Sequence, residues 1–553
     1  MAGFRHAGGE VARFVPPFPL RPYLPSTTAD TVFRQPPAFV ALVAAVAVAL
    51  PFLFAFTDAP TANFWPVVAS WGCAAALLLV AAFWPAGRRF WVQALVRGLV
   101  MAAVVSAGVG LVQYFAGDVG ISPWIYGSTP GQAIGNLRQR NQQATLMGLG
   151  AWALLWWLQQ RWAARSAEVS DDENAGVAPT PCLPALALPF ALMACMAVGA
   201  AATASRTGAL QWLMLPLLLW LWYRWRARAA LGLALAGLCV FVAAALVLPE
   251  LLWKWHGVQA DALFERFAGD VRACNGRTAL WSNTLTLIAQ KPWLGWGWGE
   301  LGYAHYVTLF TGTRFCALLD NAHNLPLHLA VELGLPAAVA LLACAGALCV
   351  AASPWRERHP ARQLAWGVLA IVGLHSLLEY PLWYGPFQLV CLLSVALLAV
   401  RPGKSGGPDA GAGFRPVPAL AAALVLAVCA VAVWDYHRVS QLYKPAAERA
   451  AAHRLDPQSS VPGSLLFNSQ REFAVLTTTS LTPESAARVH ALARRVLHYS
   501  PEPRVIQLLI DSAALLGHED EVAFHSERYR RAYPEDYERW RAGSAAASAA
   551  ASR

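Results

Sequence analysis

The segment Asp320-Asn-Ala-His323-Asn-Leu-Pro places a histidine three residues after a carboxylate and just before a proline that can open a helix. Imidazole titrates near neutral pH, so a neutral His323 can take a proton from a hydroxyl, the task of a general base. A histidine there can equally cap the helix. Asp320 can orient the ring or stand as a solvated loop carboxylate. Arginines supply a second chemistry: Arg138 and Arg140 in Gly-Asn-Leu-Arg-Gln-Arg-Asn-Gln-Gln, Arg206 in Ser-Arg-Thr-Gly, and Arg277 in Asn-Gly-Arg-Thr-Ala-Leu-Trp. A guanidinium keeps its charge at any working pH and presents a planar fork of donors that matches phosphate, which suits a diphosphate leaving group. Ordinary lipid head groups or helix ends are the competing use of such arginines. His375 and Glu379 are further candidates, with a packing pair as the expected role.

Between Arg277 and His323 runs Lys291-Pro-Trp-Leu-Gly-Trp-Gly-Trp-Gly-Glu300. Tryptophan faces can stack on sugar rings, and the interleaved glycines let backbone approach a ligand closely. Tryptophan is also the usual residue of the membrane interface, so no single ring is assigned to a sugar.

The elements that must position these residues are membrane helices. Of 553 residues, 57% are apolar and 13% charged, and the mean hydropathy is +0.42, far from a soluble average. The first 37 residues hold four arginines and no short apolar core with a cleavage site, so no cleaved leader is evident. Spans are expected at 38–56, 63–83, 92–115, 142–160, 183–203, 208–223, 229–248, 325–351, 363–379, 386–400 and 417–434. Arg88 and Arg89, Arg161 and Arg165, Arg224 to Arg228, Arg356 to Arg362, and Arg401 with Lys404 fall on alternate turns. That side is read as the cytoplasm, and residues 1–37 as a cytoplasmic tail. The formal charge of +10 is thereby explained without a nucleic-acid partner. Residues 249–324 and everything after 434 then face outward, the periplasm of a bacterial inner membrane. The tenth span is short after Pro386, where a re-entrant or tilted start is expected.

Residues 38–434 are therefore expected to form a transmembrane domain, and 435–542 a helical domain of tetratricopeptide type. In the latter, Val489, Leu492 and Val496 recur at helical spacing, and Pro501 and Gly517 separate the helices. The Ala/Ser run 543–553 is expected to be disordered. Of ten cysteines, most sit in or beside spans as small apolar packers. Cys274 and Cys316 share the outer loop, where a disulfide is expected, two free thiols being the alternative.

Absences narrow the chemistry. The acidic cluster Asp171-Asp172-Glu173 falls on the cytoplasmic side. No metal-ligand spacing of His and Cys appears on the outer face, and no Gly-rich phosphate loop joins a strand to a helix. No metal or cofactor is expected, and a lipid-bound donor fits better than a nucleotide-activated one.

These residues resemble the O-antigen ligase and polymerase superfamily, and within it the bacterial protein O-oligosaccharyltransferases of the PglL type. His323-Asn324, nine residues and Gly334 are similar to the ligase pattern His-Asn-x9-Gly, although Ala337, three positions on, departs from it. Gly135-Asn136 through Gln139-Arg140-Asn141 resembles the protein-glycosylating branch, as does His375-Ser-Leu-Leu-Glu379-Tyr-Pro-Leu-Trp-Tyr. The resemblance implies an all-α polytopic enzyme that moves a preassembled glycan from undecaprenyl diphosphate, with inversion, to serine or threonine of an exported protein such as a pilin. It implies His323 as base or acceptor-positioning residue, Arg206 and Arg277 around the diphosphate, and Arg140 as helper. Asn324, Asp320, Gln139, Asn141 and Glu379 would support them. The Trp-Trp-Asp pattern of N-linked transferases is absent. Two rivals stand: a ligase to lipid A core or O-antigen polymerase, and, more distantly, a transporter or flippase without catalysis.

Overall fold

The computed structural model describes residues 36–84, 86–170, 183–260, 263, 274–400 and 414–551. Among them there is no strand. The first seven helices are α1 (Ala38–Leu53), α2 (Phe64–Phe83), α3 (Arg88–Ala116), α4 (Arg140–Ser170), α5 (Leu183–Ala202), α6 (Arg206–Tyr223) and α7 (Arg228–His256). Then follow α8 (Arg277–Gln290), α9 (Leu301–Val307), α10 (Leu325–Leu333), α11 (Leu335–Ala352), α12 (Pro360–Ser376), α13 (Gly385–Ala399) and α14 (Pro416–Ser440). Beyond them lie α15 (Asn468–Thr478), α16 (Ala486–Tyr499), α17 (Pro503–Leu515), α18 (Glu519–Ala532) and α19 (Pro534–Ala551).

Every stretch expected to span is helical. Six helices of the described residues are long and apolar enough to cross a membrane, among them α2, α3, α7 and α14, while α1 and α13 are apolar but shorter. Much of the shortfall has a physical cause. The helix α4 packs against α3, α5, α6, α7 and α12, and its buried face carries Gln142, Gln143 and Thr145, which lowers its hydropathy. By contrast α11 and α14 are apolar and almost wholly unburied by protein, as a lipid-facing helix should be. The Asp171-Asp172-Glu173 cluster and most of the amino-terminal tail lie outside the described residues.

The eighth expected span is broken. Gly334 ends α10 at φ 86° and α11 restarts at once. The Trp293–Gly297 turn fills the break: Trp296 N donates to Val331 O at 2.9 Å, Gly297 N to Glu332 O at 3.0 Å, and Leu335 N to Pro292 O at 2.7 Å. A Cβ on Gly334 would sit 2.3 Å from Trp293 O, and one on Gly295 2.4 Å from Glu332 O. Both glycines thus let two protein backbones meet and supply the carbonyls freed at the break with donors. For Gly295 this replaces the expected approach to a ligand.

After α14, the pairs α15/α16, α16/α17, α17/α18 and α18/α19 pack in succession around Val489, Leu492, Val496, Ile506, Leu509 and Tyr529. The helix α9, from the stretch between α7 and α10, joins this core. Tyr306 is buried in it, Tyr303 stacks on His498 at 3.8 Å, and Arg528 Nε donates to Val307 O at 2.7 Å. The Ala/Ser run expected to be disordered continues α19 as far as Ala551; alanine has the highest helix propensity of any residue.

Candidate active site

Glu379 organises the site. It lies just past the end of α12 (Ser376) with a side chain only 5% exposed. Three donors converge on its carboxylate. Arg277 Nη2 donates to Oε1 at 2.5 Å, Asn141 Nδ2 donates to Oε1 at 2.7 Å, and His323 Nδ1 lies 2.6 Å from Oε2. An ionised carboxylate only accepts, so the shared proton sits on His323 Nδ1. The other ring nitrogen, Nε2, makes no hydrogen bond among the described residues, and the side chain is 28% exposed.

Local structure delivers each group. Arg277 is the first residue of α8, and Trp281, one turn on, donates Nε1 to Ala322 O at 3.1 Å, pinning the His323 loop to the same helix face. His323 itself adopts a left-handed backbone, φ 51°, held by its N–H donating to Asn321 Oδ1 at 2.9 Å. Such a conformation costs about 1–3 kcal/mol in a residue with a side chain and recurs at functional sites. Asn324 caps α10 by accepting from Leu327 N at 3.0 Å, while its Nδ2 donates to Leu377 O at 2.9 Å, tying the motif to the segment that carries Glu379. The Tyr380 ring meets His323 edge-on at 4.9 Å. Burial first, then Tyr384, Asp320 and Glu379, push its phenol above the usual value, so it stays neutral.

Asn141 links the carboxylate inward. Its Oδ1 accepts from Ser205 Oγ at 2.6 Å, and Ser205 caps α6 by accepting from Gly208 N at 3.0 Å. Arg206 is therefore the first residue of a helix tied directly to the Glu379 group, and Arg140 opens α4 beside Asn141. Thr145, one turn along α4, donates to Asn141 O at 2.9 Å and accepts from Gln211 at 2.9 Å, with His375 Nδ1 2.8 Å away.

Family profiles match the three stretches that meet here. Residues 133–158 match the family described as "Protein glycosylation ligase", 191–342 match "O-Antigen ligase", and 363–547 match "Virulence factor membrane-bound polymerase, C-terminal". The first holds Asn141, the second Arg206, Arg277 and His323, and the third Glu379. Together these matches liken the chain to the O-antigen ligase family. It is also similar to a "General O-oligosaccharyltransferase" of Acinetobacter baylyi, 28% identical over 216 residues, 37% of this chain. The match spans 35% of that relative's length. The several helices long and apolar enough to cross a membrane fit a multi-pass membrane protein.

The structure brings together His323, Arg277, Asn141 and Glu379, with Asn324 and Arg206 on directly attached segments. Gln139 accepts from Gln142 N at 2.8 Å and so serves the start of α4. Asp320 is exposed, and Glu379 takes the ring-orienting place offered to it; Glu379 thus holds His323 instead of merely packing with His375. Arg138 is spent elsewhere, donating to Ala62 O at 2.5 Å and to Asn63 Oδ1, with Tyr126 under its guanidinium. Ser205 and Tyr380 escaped the sequence reading. The only available signal was adjacency, Ser205 to Arg206 and Tyr380 to Glu379. Cys274 and Cys316 are joined by a disulfide with Cα atoms 5.4 Å apart, three residues before Arg277.

Proposed function

We propose that this protein is an O-linked oligosaccharyltransferase that moves a preassembled glycan from undecaprenyl diphosphate to serine or threonine hydroxyls of exported proteins. The carrying observation is the Glu379 cluster, which fixes one nitrogen of His323 and leaves the other open beside Arg277. Glu379 holds Nδ1–H, so Nε2 keeps a lone pair and takes the proton of the acceptor hydroxyl. The hydroxyl oxygen bonds to the anomeric carbon of the first sugar as the bond from that carbon to the diphosphate oxygen breaks. The proton ends on His323 and the electron pair on the diphosphate. Arg277 uses Nη2 for Glu379 and turns the rest of its fork to the phosphates; Arg206 and Arg140 share that charge. Donors fixed before charge develops are worth more than mobile ones.

In this reading eleven segments cross the inner membrane with the amino terminus inside, supported by the one-sided arginine turns, and the His323 face is periplasmic. Residues 435–542 form a tetratricopeptide-like domain that docks acceptor proteins. The donor and acceptor classes are supported by the protein-glycosylation match and the Acinetobacter relative. The polymerase description of residues 363–547 favours a second reading, in which the acceptor hydroxyl belongs to a sugar, on lipid A core or a growing O-antigen.

The test is transfer in a host that supplies an undecaprenyl-linked oligosaccharide and a pilin-like acceptor, comparing the protein with equally expressed His323→Ala. Glycan on the acceptor with the parent, falling about 10²- to 10⁴-fold in the variant, is expected. Glycan on lipid A core, or longer polymer, would establish the second reading instead. Transfer undiminished in the variant would remove His323 from the mechanism.

A further inference from the structure

The carboxy-terminal helices hold a second group of ionisable side chains, which glycan transfer does not use. His518 immediately precedes α18, Glu521 lies in its first turn, and His525 follows one turn later, so all three share a face. His490 comes from α16. Its Nε2 lies 2.9 Å from Glu521 Oε2, and His518 Nδ1 lies 3.7 Å from the same oxygen. The ligand atoms of His490, His518 and Glu521 all fall within 4.8 Å of one another. Ligand atoms around a tetrahedral ion with bonds of about 2.0–2.2 Å stand about 3.3 Å apart, which the 2.9 Å and 3.7 Å separations bracket.

His525 gives an independent indication. Its Nε2 points at Glu521 Oε1 from 4.0 Å, too far for a hydrogen bond. Its Nδ1 lies 3.1 Å from the Tyr306 hydroxyl, which donates to His525 O at 3.4 Å. With its proton committed there, the phenol oxygen accepts Nδ1–H, and His525 Nε2 is left as a lone pair facing a carboxylate. A metal-bound histidine is typically arranged this way, one nitrogen on the ion and the other on a fixed partner. The cation already nearby is Arg494, whose Nε lies 3.7 Å from Glu521 on a side chain 66% exposed. An ion pair so open to solvent contributes little.

We infer that His490, His518 and Glu521, with His525 as fourth ligand, form a site for a divalent transition metal of the zinc class. Imidazole and one carboxylate select such an ion over calcium or magnesium, which prefer all-oxygen shells. Four protein ligands make a closed, structural site. The ion clamps α18 to α16 and, through Tyr306, to the helix α9. This inference stands apart from the reading of His323 and survives its failure.

The experiment uses full-length protein in detergent, with any histidine tag removed, stripped with chelator, exposed to zinc chloride and desalted. About one zinc per chain is expected to remain, and cobalt in its place gives the intense visible bands of tetrahedral coordination. His518→Ala and Glu521→Gln should both lose the ion; His518 is half exposed, so its replacement leaves the helix core intact. Tyr306→Phe keeps every ligand and should weaken zinc about ten- to a hundredfold. Chelator should lower the unfolding temperature of the parent and leave that of His518→Ala unchanged. Equal zinc content in parent and both ligand variants, or a cobalt spectrum that they do not alter, overturns the site.

Discussion

Two glutamates of this protein sit among imidazoles, and their other neighbours set their roles apart. Glu379 is almost fully buried and meets a guanidinium, an amide and one histidine. Its charge is balanced by protein donors, so the imidazole it holds keeps Nε2 free for a substrate. Glu521 is more exposed and faces three histidines, with an exposed arginine as its only close guanidinium among the described residues. His490 is its one close hydrogen-bond partner, at 2.9 Å, while His518 and His525 stand 3.7 and 4.0 Å off, a spacing that an ion would fill. On the two proposals, the same pair of residue types makes a base in one place and a metal site in the other, according to who neutralises the carboxylate.

The sharpest way to break the comparison is Glu379→Gln. The amide keeps the shape but removes the charge that orients His323 and anchors Arg277. Turnover should fall on the order of 10²-fold with little change in acceptor KM, because the group acts on the base and not on binding. Parent-like turnover would show that Glu379 only packs. Arg277→Lys comes next. A point charge cannot contact Glu379 and a phosphate with one planar fork, so transfer should drop about tenfold or more, mainly through donor KM; a charge-assisted hydrogen bond is worth about 1.5–3 kcal/mol. An unchanged donor KM would detach Arg277 from the diphosphate.

A smaller effect is expected from Cys274→Ser with Cys316→Ser. The bond closes the loop just before Arg277, and its loss should lower stability by about 2–4 kcal/mol, read by thermal unfolding with and without reductant. Equal stability of parent and variant would show that the loop is held by packing alone.

The mildest prediction concerns pH and His305 in α9. Burial, then the charge of Arg314, lowers its pKa to about 3, while Asn283 and Arg314 bond its two nitrogens at 3.2 Å each. The unfolded chain binds a proton below pH of about 6.5 that the folded loop refuses, so stability is full above that value and declines toward pH of about 3. Unfolding temperature should fall on acidification through this window, and His305→Gln should flatten the fall. An equally steep fall in the variant would assign the acid sensitivity to other groups.

Much of this was legible in the residue order. Apolar runs located the helices, because hydrocarbon length acts locally along the chain. His323-Asn324 and Gly334 marked a candidate site, although the work of Gly334, admitting the Trp293–Gly297 backbone to a helix break, required the fold to see. Of the two readings open for Asp320, the structure shows the exposed loop carboxylate, because the fold brings Glu379 to the His323 ring.

What the sequence determined by itself was the helical class, the apolar segments and the set of residues able to act, since each depends on periodicity and side-chain chemistry within a few turns. Only the tertiary structure decided which of them meet. Asn141, Arg277, His323 and Glu379 come from separate segments of the chain, and His490 reaches Glu521 across two helices. Such pairings follow from how helices pack, and packing depends on the surfaces of distant elements at once.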